Sequence, residues 1–333
     1  MKLRAGVLGG GSWGTTVASL ISANAETTLW ARSAETVAEI NQHHTNSRYL
    51  PDVNLRKKLC ASNDLPSVVE NADLVIMGVP SKGFRESIEQ VKQHIRPWVP
   101  IISLAKGLEP GTHYRMTQIC TEILPDHPAG VLTGPNLAME IMRGDAAASV
   151  LALDNESLLP QLQSVFSTAL FRVYTNTDVV GCELAGALKN VIAIAAGMSD
   201  GAGAGDNTRA AIITRGLAEL TRLGEAMGGK PETFAGLAGI GDLLATCTSR
   251  LSRNHHVGEE LGKGRSIETI VAEMNMVAEG VKSCRVVLDL GEEYGIDMPI
   301  AGEVYKVLYE GSTARQAIRS FLRLETGSEA DPG

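Results

Sequence analysis

The most informative stretch in the first half of this chain is GGGSWG at residues 9–14. It fits the pattern G-x-G-x-x-G, directly follows a short apolar run and precedes a segment with helical spacing. In this context Gly9 permits a tight turn, Gly11 lets the backbone approach a pyrophosphate, and Gly14 lets helix and strand pack closely. The helix N-terminus adds free N–H groups and a positive dipole end for the anion. The stretch predicts a dinucleotide site, with a glycine-rich hinge as the alternative.

Short apolar runs alternate with helical patterns from residue 1 to about residue 175. These runs show no polar alternation, which is typical of strands buried on both faces of a parallel sheet. They lie at 3–9, 27–31, 73–79, 100–105, 129–133 and 148–153. Helical spacing lies between them, for example at 34–44 and 84–95. The alternation predicts a doubly wound, Rossmann-type α/β domain with a parallel sheet over 1–177, whose ligand lies at the carboxyl ends of the strands.

The second half of the chain has a different character, because strand signals thin out after about residue 178. Helical patterns take over at 181–199, 208–227, 256–262, 266–274, 280–294 and 300–310. Proline and glycine clusters separate several of these segments. The pattern predicts an all-helical domain over 178–325, followed by a disordered tail over 326–333.

Composition excludes several classes of function. The 333 residues suffice for two domains, and a net charge of −8 argues against a nucleic-acid partner. The five cysteines are scattered without a CxxC motif, which favours free thiols in a reducing compartment. The seven histidines lack the i, i+4 spacing of a helical metal site. With neither an 18-residue apolar stretch nor a signal-peptide core, we expect a cytoplasmic protein without a metal or a membrane span.

The residue at the end of the second predicted strand indicates which nicotinamide cofactor is preferred. An NAD-specific site usually places Asp or Glu there to bind the ribose 2′-hydroxyl, whereas this chain has Arg32. A guanidinium can pair with a 2′-phosphate and stack on adenine. NADP(H) is therefore expected to bind at least as well as NAD(H), and a solvated surface arginine is the alternative.

Two further strand ends carry candidate residues. Lys106 directly follows the run 100–105, so we expect it to point towards the nicotinamide or a substrate oxygen. A solvated loop lysine is an equal alternative. The stretch GPNLA at 134–138 follows the next run, where backbone groups can line a cofactor.

Lys189 lies in the apolar helical segment 181–199, and its own face carries only Ala185, Ala193 and Ala196. Small neighbours leave such a lysine open to a closely approaching ligand. Burial there disfavours the charged ammonium form and suits an acid–base role. The alternative is a lysine that snorkels from the edge of a core helix.

Two polar groups lie in the glycine-rich region that follows. Asp242 is the one acid in the run GLAGIGDLLATC at 236–247, where it either orients a catalytic lysine or caps a helix. Ser252, Arg253 and Asn254 precede a helical segment. Hydroxyl, guanidinium and amide at a helix N-terminus make a receptor for a phosphate monoester, although a capped surface turn has the same pattern.

Taken in order, these motifs resemble the prokaryotic NAD(P)-dependent glycerol-3-phosphate dehydrogenases over about residues 3–325. The resemblance is specific because three motifs, LKNVIAI, GDL and SRN, occur together in the right spacing. The matching stretches are GGGSWG (9–14), SLAKGLE (103–109), TGPNLA (133–138), GALKNVIAIAAGMSDG (186–201), TRGLAE (214–219), GLAGIGDLLATC (236–247), SRN (252–254), VAEG (277–280) and MPI (298–300).

The resemblance implies a role for each matching residue. It implies cofactor contacts from Ser12, Trp13, Arg32, Lys106, Ala138, Arg253, Val277 and Glu279, of which Arg253, Val277 and Glu279 close over the cofactor. It implies substrate contacts from Lys106, Gly134, Asn136, Lys189, Asp242, Ser252, Arg253 and Asn254, with Lys189 as the proton donor or acceptor. Two positions depart from the family, which often has Ser or Thr at Asn136 and Tyr or Phe at Trp13.

The implied reaction is reversible hydride transfer between the nicotinamide and C2 of glycerol 3-phosphate, with dihydroxyacetone phosphate as the oxidised partner. In the family this reaction supplies the glycerol backbone of phospholipids. We also expect a homodimer, on which the sequence patterns themselves are silent. Two alternatives remain at this point: a two-domain hydroxy-acid or ketopantoate-type dehydrogenase, and a non-catalytic NADP(H)-sensing protein.

Overall fold

A computed structural model of the chain describes residues 2–274 and 278–321. The chain divides into two compact units. The first ends at Glu183 and the second begins at Leu184. The boundary between the two units falls inside one long helix. The sequence predicts domains over 1–177 and 178–325, with a boundary just before that helix, and these limits stay predictions. The tail expected at 326–333 lies outside the described residues.

An eight-stranded sheet forms the centre of the first unit, with the strand order β3-β2-β1-β4-β5-β6-β7-β8. The strands are β1 (Arg4–Leu8), β2 (Glu26–Trp30), β3 (Cys60–Ser62), β4 (Leu74–Met77), β5 (Ile101–Ser103), β6 (Ala129–Thr133), β7 (Ala147–Leu153) and β8 (Phe171–Asn176). The chain leaves β1 to build one side of the sheet and returns through β4 to build the other, which confirms the predicted doubly wound fold.

Helices cover both faces of this sheet. They are α1 (Ser12–Ile21), α2 (Ala34–His43), α3 (Leu65–Glu70), α4 (Phe84–Lys92), α5 (Met116–Ile123), α6 (Ala138–Arg143) and α7 (Leu159–Phe166). Consecutive strand residues enter different cores, since Val7 belongs to one apolar cluster and Leu8 to the other. Burial on both faces is therefore why the strands read as continuous apolar runs.

The sheet differs from the predicted parallel arrangement at one pair of strands. β7 runs antiparallel to β6, with Val131 opposite Ala152, while the other neighbouring pairs are parallel. The apolar run 148–153 has the same composition in either direction, so its sequence could not set the orientation. Strands β3 and β8 were also missed, because β3 has three residues and β8 alternates buried and exposed positions at the sheet edge.

The second unit is helical, as predicted. Its helices are the remainder of α8 (Val179–Gly201), then α9 (Asp206–Ala226), α10 (Pro231–Phe234), α11 (Asp242–Thr248), α12 (Arg253–Gly262), α13 (Ile267–Glu273), α14 (Glu279–Tyr294), α15 (Pro299–Tyr309) and α16 (Ala314–Phe321). The sequence patterns missed the three short helices α10, α11 and α16, where too few turns are present to establish a period.

Among the described residues, α8 is the one helix long and apolar enough to cross a bilayer. Its most apolar 18-residue window is 94% buried inside the protein, however, which is the situation of a core helix. The same helix also carries Glu183 and Lys189, which are both buried.

A buried carboxylate anchors the start of α15. Met298 is the N-cap residue and has no side-chain oxygen with which to bond the free N–H groups of the first turn. Glu219 of α9 supplies this oxygen from another helix, and its carboxylate accepts hydrogen bonds from Ile300 N at 2.8 Å and Ala301 N at 3.5 Å. Because Glu219 is only 1% exposed, burial raises the pKa of its carboxyl from 4.5 to about 7, although these hydrogen bonds oppose the shift.

We predict that Glu219 makes the stability of the chain fall as pH rises from about 4.5 to about 7. Within this window the folded chain binds a proton that the unfolded chain has released, so the free energy of unfolding decreases with pH. The contribution is at most about 3 kcal/mol, since one pKa unit corresponds to about 1.4 kcal/mol. Urea unfolding of the wild type and Glu219→Gln from pH 5 to pH 8 should give curves that diverge in favour of the variant. Parallel curves would contradict the assignment.

Candidate functional site

The turn between β1 and α1 has the geometry that the glycine pattern predicts. Gly9 has φ +123°, and a Cβ there would lie 2.5 Å from the carbonyl oxygen of Gly78. A Cβ on Gly14 would lie 2.1 Å from the carbonyl oxygen of Gly9, so only glycine lets α1 pack this closely against the turn. A Cβ on Gly11, in contrast, would meet nothing within 4 Å, which leaves room for a ligand.

The N-terminus of α1 is suited to an anion. Its N-cap residue is Gly11, no side-chain hydrogen bond caps it, and its first turn carries no acidic residue. The first N–H groups of the helix are therefore available to a ligand. Trp13 packs edge-on against Phe171 with the ring centroids 6.2 Å apart. Its Nε1 is buried and bonds none of the described residues.

Arg32 lies beside this turn. Gly9 N donates to the carbonyl oxygen of Trp30 at 3.0 Å, so the end of β2 is directly adjacent to the glycine turn. The Arg32 side chain is exposed, and no hydrogen bond or ion pair joins its guanidinium to another described residue. A 2′-phosphate could thus engage it without breaking an existing ion pair.

Lys106 and the stretch 134–138 come together at the carboxyl ends of β5 and β6. Lys106 Nζ donates to the carbonyl oxygen of Gly134 at 2.8 Å, and Gly134 has φ +130°. Asn136 Nδ2 donates to Ser149 Oγ at 3.2 Å. Asn136 Oδ1 is buried without a hydrogen-bond partner among the described residues, and so is Thr133 Oγ1. A bound molecule at this strand end could complete both orphaned atoms.

We refer to the turn 9–14, Arg32, Lys106 and the stretch 134–138 as the glycine-turn cluster. The open space at Gly11, the uncapped helix and the orphaned polar atoms fit a dinucleotide at this edge of the sheet. Ser12 and Ala138 are the first residues of α1 and α6, so their backbone N–H groups also belong to helix N-termini at this edge.

In the second unit, Lys189 lies in a buried polar centre. The residue is 4% exposed, and its Nζ lies 3.2 Å from Asp242 Oδ1 and donates to Thr246 Oγ1. The Thr246 hydroxyl donates in turn to the backbone carbonyl of Asp242 at 2.7 Å. Because this ammonium ends in the interior beside a carboxylate, the alternative of a snorkelling lysine is wrong.

A distorted turn brings Asp242 to this position. The segment Leu237–Gly241 forms a π-helical turn, which ends where α11 begins at Asp242. A Cβ on Gly239 would lie 2.0 Å from the carbonyl oxygen of Phe234, so glycine is required for this turn to fold back. Gly241 holds the N-cap position, and the interpretation of Asp242 as a helix cap is therefore wrong.

The start of α12 combines a cap with free polar groups. Ser252 is the N-cap, and its Oγ accepts from His255 N at 3.2 Å, so its hydroxyl hydrogen remains available. Arg253 is exposed, and its guanidinium pairs with no other residue of the part that the structure describes. Asn254 Nδ2 donates to Asn190 Oδ1, and Asn254 Oδ1 accepts from Gly280 N, both at 2.9 Å. Asn254 thus keeps one N–H for a ligand.

We refer to Lys189, Asn190, Asp242, Thr246 and 252–254 as the lysine cluster. The sequence predicted all of its members except Asn190 and Thr246. A signal for both existed, since Thr246 follows Asp242 at i+4 on one helix face and Asn190 adjoins Lys189. Glu279 is the first residue of α14, whereas Val277 lies outside the described residues.

Two other chemistries find no support at the lysine cluster. Cys247 is fully buried, and burial raises the pKa of its thiol to about 12, so it is not a reactive nucleophile. No group of three or more His, Cys, Asp or Glu side chains within 2–274 and 278–321 is arranged to hold a metal ion.

Comparison with known proteins gives consistent matches along the chain. The family profiles described as NAD-dependent glycerol-3-phosphate dehydrogenase N-terminus and C-terminus match residues 4–159 and 178–319. A protein of Sphingopyxis alaskensis named glycerol-3-phosphate dehydrogenase (NAD(P)+) 2 is 60% identical over 333 residues, which is 100% of both chains. One of the same activity name from Mycobacterium avium is 55% identical over 97% of this chain and 95% of its own.

The fold matches as well. A crystal structure of glycerol-3-phosphate dehydrogenase from Coxiella burnetii superposes with a TM-score of 0.91 at 36% sequence identity. The superposition covers 97% of this chain and 99% of that one.

Proposed function

The chain belongs to the NAD-dependent glycerol-3-phosphate dehydrogenase family, and from this membership we propose how its residues carry out the reaction. It is an NAD(P)-dependent oxidoreductase that interconverts glycerol 3-phosphate and dihydroxyacetone phosphate. The observation that carries the assignment of roles is the buried contact of Lys189 with Asp242 and Thr246, because the established reaction needs one proton donor beside the reacting oxygen.

We assign the cofactor to the glycine-turn cluster. The N-terminus of α1 would hold the pyrophosphate, Arg32 the 2′-phosphate of NADP(H), and Lys106, Asn136 and the strand ends the region of the nicotinamide and substrate. When bound, the nicotinamide supplies the hydride that reduces C2, or accepts it in the reverse direction. Cofactor contacts from Arg253 and Glu279 stay predictions that rest on the family pattern.

Lys189 is the proposed acid–base residue. As C2 of dihydroxyacetone phosphate is reduced, negative charge develops on its oxygen, and an ammonium at hydrogen-bond distance stabilises and then protonates it. Asp242 Oδ1 lies 3.2 Å from the Lys189 Nζ, while Thr246 accepts one of its three N–H bonds. The direction of the remaining N–H bonds is thereby fixed. In glycerol 3-phosphate oxidation the same group receives the proton.

The start of α12 is the proposed phosphate receptor. The Arg253 guanidinium can pair with two phosphate oxygens, and the Ser252 hydroxyl and the remaining N–H of Asn254 can each donate to a third. The N-terminus of the helix adds a favourable dipole. A substrate without phosphate would leave these groups without a function, which disfavours the hydroxy-acid alternative.

We also propose a cytoplasmic location and a role in supplying the glycerol backbone of phospholipids. All five cysteines are free, and Cys60 is exposed, which suits a reducing compartment.

A homodimer remains a proposal of its own. Light scattering of the purified chain should give about twice the 35.3 kDa of one chain. A mass near that of one chain across the micromolar range would exclude it.

Replacing Lys189 with methionine should lower kcat for dihydroxyacetone phosphate reduction by at least about a hundred-fold. Methionine keeps the apolar stem but removes the charge and the proton. NADPH affinity, measured by fluorescence, should change little because the glycine turn and Arg32 belong to the first unit.

Lys189→Arg is the matched control, because it keeps the charge but is a poor proton donor. It should be severely impaired as well. Turnover near that of the wild type in Lys189→Met would transfer the acid role to Lys106. No turnover of dihydroxyacetone phosphate by the wild type would favour the non-catalytic alternative.

Replacing Arg32 with aspartate should shift cofactor preference towards NADH. The change removes the partner of the 2′-phosphate and provides a carboxylate for the 2′-hydroxyl. A charge-assisted contact is worth roughly 1.5–3 kcal/mol, which corresponds to about ten- to hundred-fold in affinity. The ratio of kcat/KM for NADPH to that for NADH measures the effect. An unchanged ratio would mean that Arg32 is the solvated surface arginine.

A further inference from the structure

A His–Asp–Arg set, of which only the histidine is buried, lies in the second unit and has no part in the mechanism above. His255 is 7% exposed, and its Nε2 lies 2.9 Å from Asp200 Oδ2. Arg209 of α9 holds both oxygens of the same carboxylate, at 3.0 and 3.1 Å from its Nη1. A carboxylate can only accept, so the imidazole Nε2–H is the donor to Oδ2, the oxygen that also accepts from Arg209.

His255 is held at two points. Its backbone N–H donates to Ser252 Oγ, the cap of α12, while its ring bonds Asp200 near the end of α8. The residue before it, Asn254, bonds Asn190 in the middle of the same α8. Two neighbouring residues of the phosphate receptor helix therefore bind α8 at positions about 15 Å apart along its axis, from a rise of about 1.5 Å per residue.

The helices α8 and α12 are in close backbone contact along the stretch that these polar bonds join. A Cβ on Gly197 or Gly201 of α8 would lie 2.1 or 2.0 Å from a backbone oxygen of α12. Conversely, a Cβ on Gly258 or Gly262 of α12 would lie 2.1 or 2.5 Å from a backbone oxygen of α8. The two backbones are therefore in direct contact at these glycines, and the bonds from Asn254 and His255 add directional polar contacts between the same two helices.

We propose that His255, held by Asp200, is a positioning residue that sets the register of α12 on α8. It thereby fixes the distance from Lys189, on α8, to the receptor 252–254 that binds the substrate phosphate. This inference rests on the proposed role of the α12 N-terminus. His255 lies outside both clusters, and its task is to match the site to the length of a three-carbon phosphate.

The test compares His255→Leu, which removes the ring nitrogens, with His255→Gln, whose amide nitrogen can reach the place of Nε2. His255→Leu should raise KM for dihydroxyacetone phosphate roughly 5- to 30-fold, the range for loss of a hydrogen bond to a charged group. Its kcat and its KM for NADPH should stay within about two-fold of the wild type. His255→Gln should recover most of the loss in KM. His256→Leu, at the exposed neighbouring position, is the matched control and should behave as the wild type.

A substrate without phosphate separates positioning from general damage. With dihydroxyacetone, kcat/KM should be the same for the wild type and His255→Leu, because the receptor is not used. If His255→Leu does not fold, as judged by its melting curve, His255→Asn replaces it, since asparagine is polar but too short to reach Asp200. The expected values are the same.

Three results would overturn the inference: an unchanged KM for dihydroxyacetone phosphate, a fall in kcat at unchanged KM, or an equal loss with both substrates. Failure of the underlying assignment has a different signature. Arg253→Ala should raise KM for dihydroxyacetone phosphate more than His255→Leu does. If Arg253→Ala leaves this KM unchanged, the receptor itself is wrongly placed, whatever His255→Leu shows.

Discussion

The ammonium of Lys189 and the carboxylate of Asp242 lie 3.2 Å apart with about 5% or less of either side chain exposed. Neither charge would be tolerated alone at this depth, because an unpaired buried charge costs several kcal/mol. The second unit is arranged around this requirement. α8 provides the lysine, and a π-helical turn delivers the acid at the start of α11. A pair held this way is weak evidence for stability, and it fits a function that needs a charge in the interior.

Glycine serves three different physical purposes in this chain. Gly9 takes a backbone conformation that other residues rarely adopt, and Gly14 allows two backbone segments to touch. Gly11 leaves space that a ligand can occupy. In the second unit, Gly197 and Gly258 bring the lysine-bearing helix and the receptor helix into backbone contact. Where the backbones touch, short polar bonds such as that from Asn254 to Asn190 also join the two helices.

Buried polar groups in this chain are of two kinds, those without a partner in the protein and those bonded by a remote segment. The orphaned Asn136 Oδ1 and Thr133 Oγ1 lie at the ligand edge of the sheet, where a bound molecule can complete them. Glu219, in contrast, is fully used, because it bonds the first turn of α15. Both kinds of group carry a cost of burial, and only the second is compensated within the protein itself.

The doubly wound sheet, the glycine turn, the helical second unit and most members of the two clusters could be predicted from the sequence. These features depend on local periodicity and on glycine spacing, which are legible one segment at a time. Three features could be seen only in the tertiary structure. They are the antiparallel direction of β7, the pairing of Lys189 with Asp242 and Thr246, and the bond from His255 to Asp200. Each of these joins segments remote in sequence, and the strength of such a bond depends on distance and burial in space. No local pattern records either quantity.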